Sequence, residues 1–372
     1  MQRFSRRQLP ARLAAAGATV PFLTEAAWAQ RAAVQGVIPP DTVWLNANEN
    51  PEGPIKPAIE AMTQVLPQSG RYHYQEYQEF YARVADSEGM DKSELLIGSG
   101  SSEVLQAAIH AFTSPTRPLI QPAPTYESPA AVAEALGRKV IRVPLKPDYS
   151  ADVKKIAEAA DASGGGLIYL CNPNNPTSAI TPKGEIAWLV ANLPKNTILM
   201  MDEAYIHFSE SPEMESAFKY IKQGKDVIVT RSYSKIYGMA GLRAGAAYGR
   251  PDLMQKMEPF RNNVISIVAV RALLASVGEK QIIAGRRVRY NGIRNSLCAW
   301  LKEKGVGYIE PNANFVMIDV GRDVRQMIPK LVAKGVAPGR PFPPLDRMLR
   351  VSIGTAADME KFRRVFWEVY SS

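Results

Sequence analysis

Residues 227–243 read Val-Ile-Val-Thr-Arg-Ser-Tyr-Ser-Lys-Ile-Tyr-Gly-Met-Ala-Gly-Leu-Arg, a short apolar run followed by a polar loop. The run Val227–Thr230 has the length and the β-branched residues of a buried strand. The loop after it contains Lys235 and ends at Arg243. Since ligands bind at the carboxyl ends of parallel strands in α/β folds, this stretch indicates a ligand site.

Further apolar runs of strand length surround this stretch, and predicted helices at about 128–136, 151–160 and 182–192 separate most of them. Strands that alternate with helices predict an α/β fold with a mostly parallel sheet that is covered by helices. The other predicted strands are Glu94–Ile97, Val140–Val143, Gly166–Cys171 and Thr197–Met201.

The C-terminal part has a different pattern. A long helix at about 281–304 is followed by the strands Asn314–Asp319 and Leu349–Ile353, with a helix near 322–334 between them. This pattern predicts a smaller α+β domain, completed by the N-terminal segment. We place a large domain at 75–275 and the small domain at 276–372, after an N-terminal segment at 30–74.

Length and charge exclude several classes of protein. A chain of 372 residues, 46% hydrophobic, suits one large and one smaller domain rather than a single core. The first 29 residues carry four arginines and one glutamate, so their +3 leaves +6 of the total charge of +9. The remaining basic residues are dispersed, which disfavours nucleic-acid binding and fits an enzyme that handles anionic substrates.

The N-terminus is typical of an export signal. The doublet Arg6-Arg7 precedes a moderately apolar run, Leu13–Leu23, and then the cleavage-site pattern Ala27-Trp28-Ala29. We interpret residues 1–29 as a twin-arginine-type signal peptide and expect a periplasmic or otherwise exported protein, without a membrane span once the signal is removed. The alternative is an amphipathic or disordered leader on a cytoplasmic protein. The only cysteines, Cys171 and Cys298, are expected to be free buried thiols.

Polar motifs follow each of the central strands. Gly98-Ser-Gly-Ser-Ser-Glu103 joins a strand to a helix whose free N–H groups suit a phosphate. Asn172-Pro-Asn-Asn-Pro-Thr177 and Asp202-Glu-Ala-Tyr205 follow the next strands. Together with the loop that contains Lys235, they make four motifs at strand ends, which predict one composite site.

These motifs resemble those of a known family. Ser234–Arg243 looks like the lysine motif of fold-type I pyridoxal-phosphate-dependent aminotransferases, in the histidinol-phosphate aminotransferase branch. Leu45-Asn-Ala-Asn-Glu-Asn-Pro51 is similar to its opening motif and Arg350-Val-Ser-Ile-Gly-Thr355 to its closing motif. The resemblance implies a seven-stranded-type sheet and pyridoxal 5′-phosphate as cofactor. It also implies amino transfer from an L-amino acid or related amine to a 2-oxo acid such as 2-oxoglutarate.

The resemblance implies roles for individual residues. Lys235 would form the imine with the cofactor and then move a proton as general base and acid. Asp202 would pair with the pyridinium nitrogen. Tyr205 and Asn175 would bind the ring 3′-oxygen, and Tyr126 would stack on the ring.

The cofactor phosphate, the substrate and a second subunit complete the implied set. Arg350 would grip the acidic group of the substrate, with Arg340 and Asn48 as further substrate-binding candidates. Tyr72 would reach the cofactor phosphate of a neighbouring subunit, which implies a homodimer. The implied phosphate-binding residues are Gly100, Ser101, Ser102, Ser232, Ser234 and Arg243.

Three segments depart from the family pattern near the expected substrate entrance. They are Tyr72–Tyr77, Ser178 at a usual glycine position, and the proline-rich Gly339–Leu345. Histidinol-phosphate aminotransferase proper, an oxidase or decarboxylase on the same scaffold, and a non-enzymatic cofactor-binding protein therefore stay open as alternatives. The histidines are too scattered to predict a metal site.

Overall fold

The structure, a computed structural model, describes residues 38–261 and 264–372. The predicted signal peptide at 1–29 lies outside the described residues. Among the described helices, none is both long and apolar enough to cross a membrane. A short strand, β1 (Val43–Leu45), opens the described chain.

Seven strands between residues 95 and 248 form the central sheet, in the order β2-β8-β7-β6-β5-β3-β4. All neighbouring strands are parallel except that β8 runs antiparallel to β2 and β7. The strands are β2 (Leu95–Gly98), β3 (Leu119–Ala123), β4 (Val140–Pro144), β5 (Gly166–Cys171), β6 (Thr197–Asp202), β7 (Val227–Ser232) and β8 (Gly245–Tyr248).

Two smaller sheets follow in the C-terminal part. The strands β9 (Tyr308–Ile309), β10 (Phe315–Asp319) and β12 (Met348–Ser352) form an antiparallel sheet with β10 in the centre. β11 (Val336–Pro338) pairs in parallel with β1. The N-terminal segment therefore contacts the C-terminal part through the pairing of β1 with β11. The exact domain boundary near residue 275 stays a prediction.

Helices alternate with the strands of the central sheet. Those in the described part that are longer than one turn are α1 (Lys56–Val65), α2 (Tyr77–Ser87), α3 (Ser101–Phe112), α4 (Ser128–Ala135), α5 (Val153–Ala162), α6 (Lys183–Ala191), α7 (Phe218–Lys222), α8 (Pro251–Met257), α9 (Ile267–Val277), α10 (Lys280–Glu303), α11 (Val324–Ala333) and α12 (Ala356–Tyr370).

The helix α3 illustrates why these segments fold as they do. Its apolar residues recur at helical spacing, and Val104, Leu105, Ala108, Ile109 and Phe112 are all buried. The predicted strands are just as apolar, and every residue of β5, β6 and β7 is buried. Helix and strand faces together form one continuous core around the central sheet.

The topology brings the functional loops to one edge. Because β2, β3, β5, β6 and β7 run in the same direction, the loops that follow them lie at the same edge of the sheet. β8 runs the other way, so its first residue, Gly245, lies at that edge, two residues after Arg243.

Candidate active site

A cavity of about 300 Å³ opens at this edge of the sheet. It is of a size that holds a small ligand or cofactor. Ten of the residues predicted from the sequence line it: Ser101, Ser102, Tyr126, Asn175, Asp202, Tyr205, Ser232, Ser234, Lys235 and Arg243. Ala47 and Glu49 of the opening motif line it too, so the N-terminal segment forms part of the wall.

One end of the cavity is built to bind an anion. The first turn of α3 presents Ser101 and Ser102, where the backbone N–H groups of a helix N-terminus are not used within the helix. Arg243 lies beside them, and its guanidinium donates to the Ala240 carbonyl oxygen at 3.0 Å. Burial lowers the pKa of Arg243, because removal from water disfavours the charged form of the guanidinium.

Gly100 lies behind this end rather than in the cavity lining. Its φ of +85° is a conformation that residues with a side chain rarely adopt. A Cβ at this position would overlap the guanidinium of Arg243. Gly100 therefore leaves room for Arg243.

Lys235 lines the cavity and is buried. Its Nζ donates to the Ala47 carbonyl oxygen at 3.3 Å and lies 5.5 Å from the centre of the Tyr205 ring. The Lys235 amine, on the loop after β7, therefore contacts the opening motif, and both line the cavity.

Asp202, the last residue of β6, is buried on the floor of the cavity. Its carboxylate accepts hydrogen bonds from the Tyr169 hydroxyl at 2.8 Å, the Thr230 hydroxyl at 3.2 Å and the Ala204 N–H at 3.2 Å. Burial raises the pKa of Asp202, while these hydrogen bonds and the charge of Lys235 act in the opposite direction.

The Tyr205 hydroxyl is held by two amides. Asn48 donates to it through Nδ2 at 3.2 Å and Asn175 through Nδ2 at 3.5 Å. Asn48 has a positive φ of 53° and is itself held by Ser352 of β12. Asn48 thus supports Tyr205 and lies outside the cavity lining.

Arg350, in β12, is fully buried next to the cavity. Its guanidinium donates to the Asn175 side-chain oxygen at 2.7 Å and to the Asn46 carbonyl oxygen at 2.6 Å. It also stacks on Phe342, with 4.5 Å between the guanidinium carbon and the ring centre. The closing motif therefore meets the cavity through Asn175.

Arg340 is connected with Arg350 through Phe342, which both arginines contact. Its guanidinium is 4.2 Å from the centre of the same Phe342 ring and forms an ion pair with Glu127. Tyr72 lies apart from the cavity: 69% of it is exposed, and it stacks on Tyr74. Within one described chain, Tyr72 therefore does not join the other predicted residues.

Several residues of the site were not singled out from the sequence. Tyr169 and Thr230 lie in strand interiors, where they read as ordinary β-formers, and Phe342 lies in the proline-rich segment. Cys171 is a free buried thiol, as predicted, and it also lines the cavity. Cys298 is likewise free and buried.

A buried ion pair supports the floor of the site. Arg231 of β7 pairs with Glu203, the residue after Asp202, at 2.7 Å. Glu203 also accepts from the Ser216 hydroxyl and the Ala217 N–H. Such a pair needs hydrogen bonds on both partners to offset desolvation, and its geometry holds the β6 and β7 ends together.

Comparisons with known proteins show the family of this chain. Residues 40–366 match the family described as aminotransferase class I and II. The chain therefore belongs to the class I and II aminotransferases, which are pyridoxal-phosphate-dependent enzymes.

Individual relatives show which members of the family this chain is similar to. The chain is 32% identical to the histidinol-phosphate aminotransferase of Symbiobacterium thermophilum, over 87% of this chain and 89% of that protein. It is 31% identical to the aromatic amino acid aminotransferase of Cutibacterium acnes, over 80% and 84% of the two chains. The crystal structure of histidinol-phosphate aminotransferase from Sinorhizobium meliloti in complex with pyridoxal-5′-phosphate has the same fold, with a TM-score of 0.85 at 24% identity over 100% and 99% of the chains.

The cavity fits pyridoxal phosphate on its own chemistry. The cofactor has an anionic phosphate, an aldehyde and a ring nitrogen that binds a proton. Arg243 with the α3 N-terminus, the amine of Lys235 and the carboxylate of Asp202 offer a complementary group to each of these, all around one cavity.

Proposed function

We propose that this chain moves an amino group from an L-amino acid or related amine to a 2-oxo acid, in the cavity around Lys235. The observation that carries this proposal is the shared cavity of Lys235, Asp202 and Arg243. The amine and the arginine belong to the loop between β7 and β8, whereas the carboxylate is at the end of β6, so the fold brings two separate segments to one cavity.

Each group has a defined task towards the cofactor. Ser101, Ser102, Ser232, Ser234 and Arg243 would hold the phosphate. Asp202 would keep a proton on the ring nitrogen, and Tyr205 and Asn175 would bind the ring oxygen. Bound pyridoxal phosphate supplies the aldehyde that takes up the amino group and a ring that accepts electrons from the substrate Cα.

Lys235 would attach the cofactor covalently through Nζ and release it when a substrate amine arrives. Its amine would then act as general base and acid that moves the proton of the substrate Cα. Arg350 would hold the substrate carboxylate, because a planar guanidinium binds that group through two parallel hydrogen bonds.

The test is to add single L-amino acids and histidinol phosphate to the purified holoenzyme without an acceptor. An amino donor is expected to convert the absorption spectrum of the bound cofactor from its aldehyde form to its amine form. A 2-oxo acid should then reverse the change. An unchanged spectrum with every donor would contradict amino transfer, and oxygen consumption without a 2-oxo acid would indicate the oxidase alternative instead.

Histidinol-phosphate aminotransferase proper is a second candidate. It is supported by the identity of about one third to relatives of that name. It requires a phosphate-bearing donor, so histidinol phosphate should convert the spectrum at lower concentration than any amino acid in the same panel.

We further propose that the active form is a homodimer that is exported. The exposed Tyr72 is available for contact with a second subunit, which the resemblance implies. Light scattering should give twice the mass of the mature chain.

For export, a reporter fused to residues 1–37 should reach the periplasm, and replacement of Arg6 and Arg7 by lysine should retain it in the cytoplasm.

A further inference from the structure

A carboxylate and an arginine form an ion pair beside a residue of the cavity wall. Glu127 immediately follows Tyr126, which lines the cavity, and its carboxylate forms an ion pair with Arg340. The Arg340 side chain is only 12% exposed, while that of Glu127 is 40% exposed. The pair is therefore partly shielded from water, where interactions between charges are stronger than at the surface.

A continuous set of contacts connects this pair with Arg350 and the cavity wall. Asn175 in the cavity wall accepts from Arg350, Arg350 stacks on Phe342, and Phe342 stacks on Arg340. Arg340 then pairs with Glu127, whose neighbour Tyr126 is again in the wall. Arg340 therefore contacts the same ring as Arg350, the residue proposed to hold the substrate carboxylate.

Hydrogen bonds hold the loop that carries Glu127. The Thr125 hydroxyl donates to the Asn174 side-chain oxygen at 2.7 Å, and the Asn174 amide donates to the Pro124 carbonyl oxygen at 3.1 Å. On the other side of Glu127, the helix α4 begins at Ser128. Glu127 is therefore presented by a constrained segment, which favours a lasting position beside Arg340.

We propose that Glu127 determines specificity by filling the anion position at Arg340, so that the site takes donors and acceptors with uncharged side chains. This inference rests on the proposed function and names its substrate class. A phosphate or side-chain carboxylate would have to displace Glu127 and then lie beside it, and adjacent like charges are strongly unfavourable. An apolar or aromatic side chain meets no such barrier and finds the ring of Phe342.

The first test measures binding without turnover. Glutarate and pentanoate have the same number of carbons, but only glutarate has a second carboxylate, and neither reacts with the holoenzyme. The wild type should bind pentanoate at least as well as glutarate, whereas Glu127→Gln should bind glutarate about tenfold more tightly than the wild type does. Equal glutarate affinity in the two proteins would overturn the proposal.

Matched variants identify the cause of the change. Glu134 in α4 forms a similar ion pair with Arg142 in β4, at 2.6 Å. Glu134→Gln breaks this pair and should leave glutarate binding as in the wild type. The double variant Glu127→Gln with Arg340→Gln should lose the gain. If the double variant kept the tighter glutarate binding, Arg340 would not be the group that binds the glutarate carboxylate, and the proposal would fail.

The second test uses the spectral assay. L-Phenylalanine and L-leucine should convert the wild-type cofactor more readily than L-glutamate or histidinol phosphate. Glu127→Gln should improve the anionic donors and 2-oxoglutarate by about tenfold. A wild type that prefers anionic donors would overturn this inference but uphold amino transfer. A wild type inert to all donors would overturn amino transfer itself, and the glutarate comparison would still report whether Glu127 fills Arg340.

Discussion

The protonation of Asp202 depends on residues that do not touch the cavity. Burial alone would favour the neutral acid, and three hydrogen bonds oppose this. Tyr169 makes the shortest of them, at 2.8 Å. Burial and the charge of Asp202 raise the pKa of Tyr169 well above its ordinary value, so the phenol remains a donor at working pH. Tyr169 is thus a positioning residue that favours the charged form of Asp202.

Replacing Tyr169 with Phe should therefore shift the pH dependence. Without the donor, the pKa of Asp202 rises further, so activity that requires its carboxylate is lost at a higher pH as the pH falls. The acid limb of kcat/KM should move to higher pH. Tyr248→Phe is a matched control, since Tyr248 is equally buried and its hydroxyl contacts Tyr233. An acid limb that stays in place for Tyr169→Phe would contradict this role.

At the residue scale, the resemblance to family motifs predicted the lysine, the aspartate and the arginine near the strand ends, and all three line the cavity. Tyr169 could not be found this way, because a tyrosine inside an apolar run is a normal strand residue. The pairing of Arg340 with Glu127 was not predicted either, since the two residues are 213 positions apart and no local pattern joins them.

At the scale of elements, the turn between β2 and α3 has a strict conformational requirement. Gly100 adopts a φ of +85°, and the space where a Cβ would lie is taken by Arg243. The turn therefore couples the helix N-terminus to the arginine, and both would contact the same phosphate.

Gly100→Ala should weaken cofactor binding more than it weakens the fold. Backbone strain of about 1–3 kcal/mol is expected, and the displaced guanidinium adds a loss of phosphate contacts. We expect the affinity for pyridoxal phosphate to fall by about tenfold or more. Gly137→Ala is the control, with a φ of +67° but open space around the site of a Cβ. Titration of the apoprotein with cofactor should separate the two, and equal affinities would contradict the coupling.

The predicted elements agree with the structure where hydrophobicity is continuous. The strands β4 to β7 and the helices between them lie within a few residues of their predicted positions. β3 and β8 were not predicted. β3 has a single β-branched residue, Ile120, next to Gln121 and Pro122, and β8 reads Gly-Ala-Ala-Tyr, so neither has the run of β-branched residues that marks a strand. Pairing with neighbouring strands, which is a tertiary effect, makes them strands.

At the scale of the whole molecule, distant segments of the chain meet at the site. β1 pairs with β11, and the Asn48 N–H donates to the Ser352 hydroxyl at 2.8 Å. The opening and closing motifs are about 300 residues apart in sequence, yet they contact each other next to the cavity. Their resemblance to family motifs indicated a shared site, whereas their direct contact follows only from the fold.

Ser178 makes another connection between the two parts of the chain. It has a positive φ of 61°, and its hydroxyl oxygen accepts from the Asn312 N–H at 3.0 Å and the Ala313 N–H at 2.9 Å. A glycine, usual at this position in the family, would suit the backbone but could not accept these bonds. The serine is thus a local feature of this chain that ties the loop after β5 to the segment before β10.

Ser178→Ala should lower the free energy of unfolding by about 1–3 kcal/mol, because a buried N–H loses its acceptor. Chemical denaturation of the holoenzyme measures this change. Ser163→Ala removes only a hydroxyl that donates to Ala159 within one helix, and it should change stability by less than about 0.5 kcal/mol. Equal stability of the two variants would mean that the Ser178 hydroxyl does not tie the parts together.

The central claim is that Lys235 holds the cofactor in this cavity, and peptide mapping tests it most directly. Borohydride reduction of the holoenzyme makes the bond between cofactor and lysine permanent, so digestion and mass spectrometry can locate it. We predict that the reduced cofactor is found on the peptide that contains Lys235, and that Lys235→Ala carries none and loses turnover. Cofactor on another lysine, or turnover that survives in Lys235→Ala, would contradict the account.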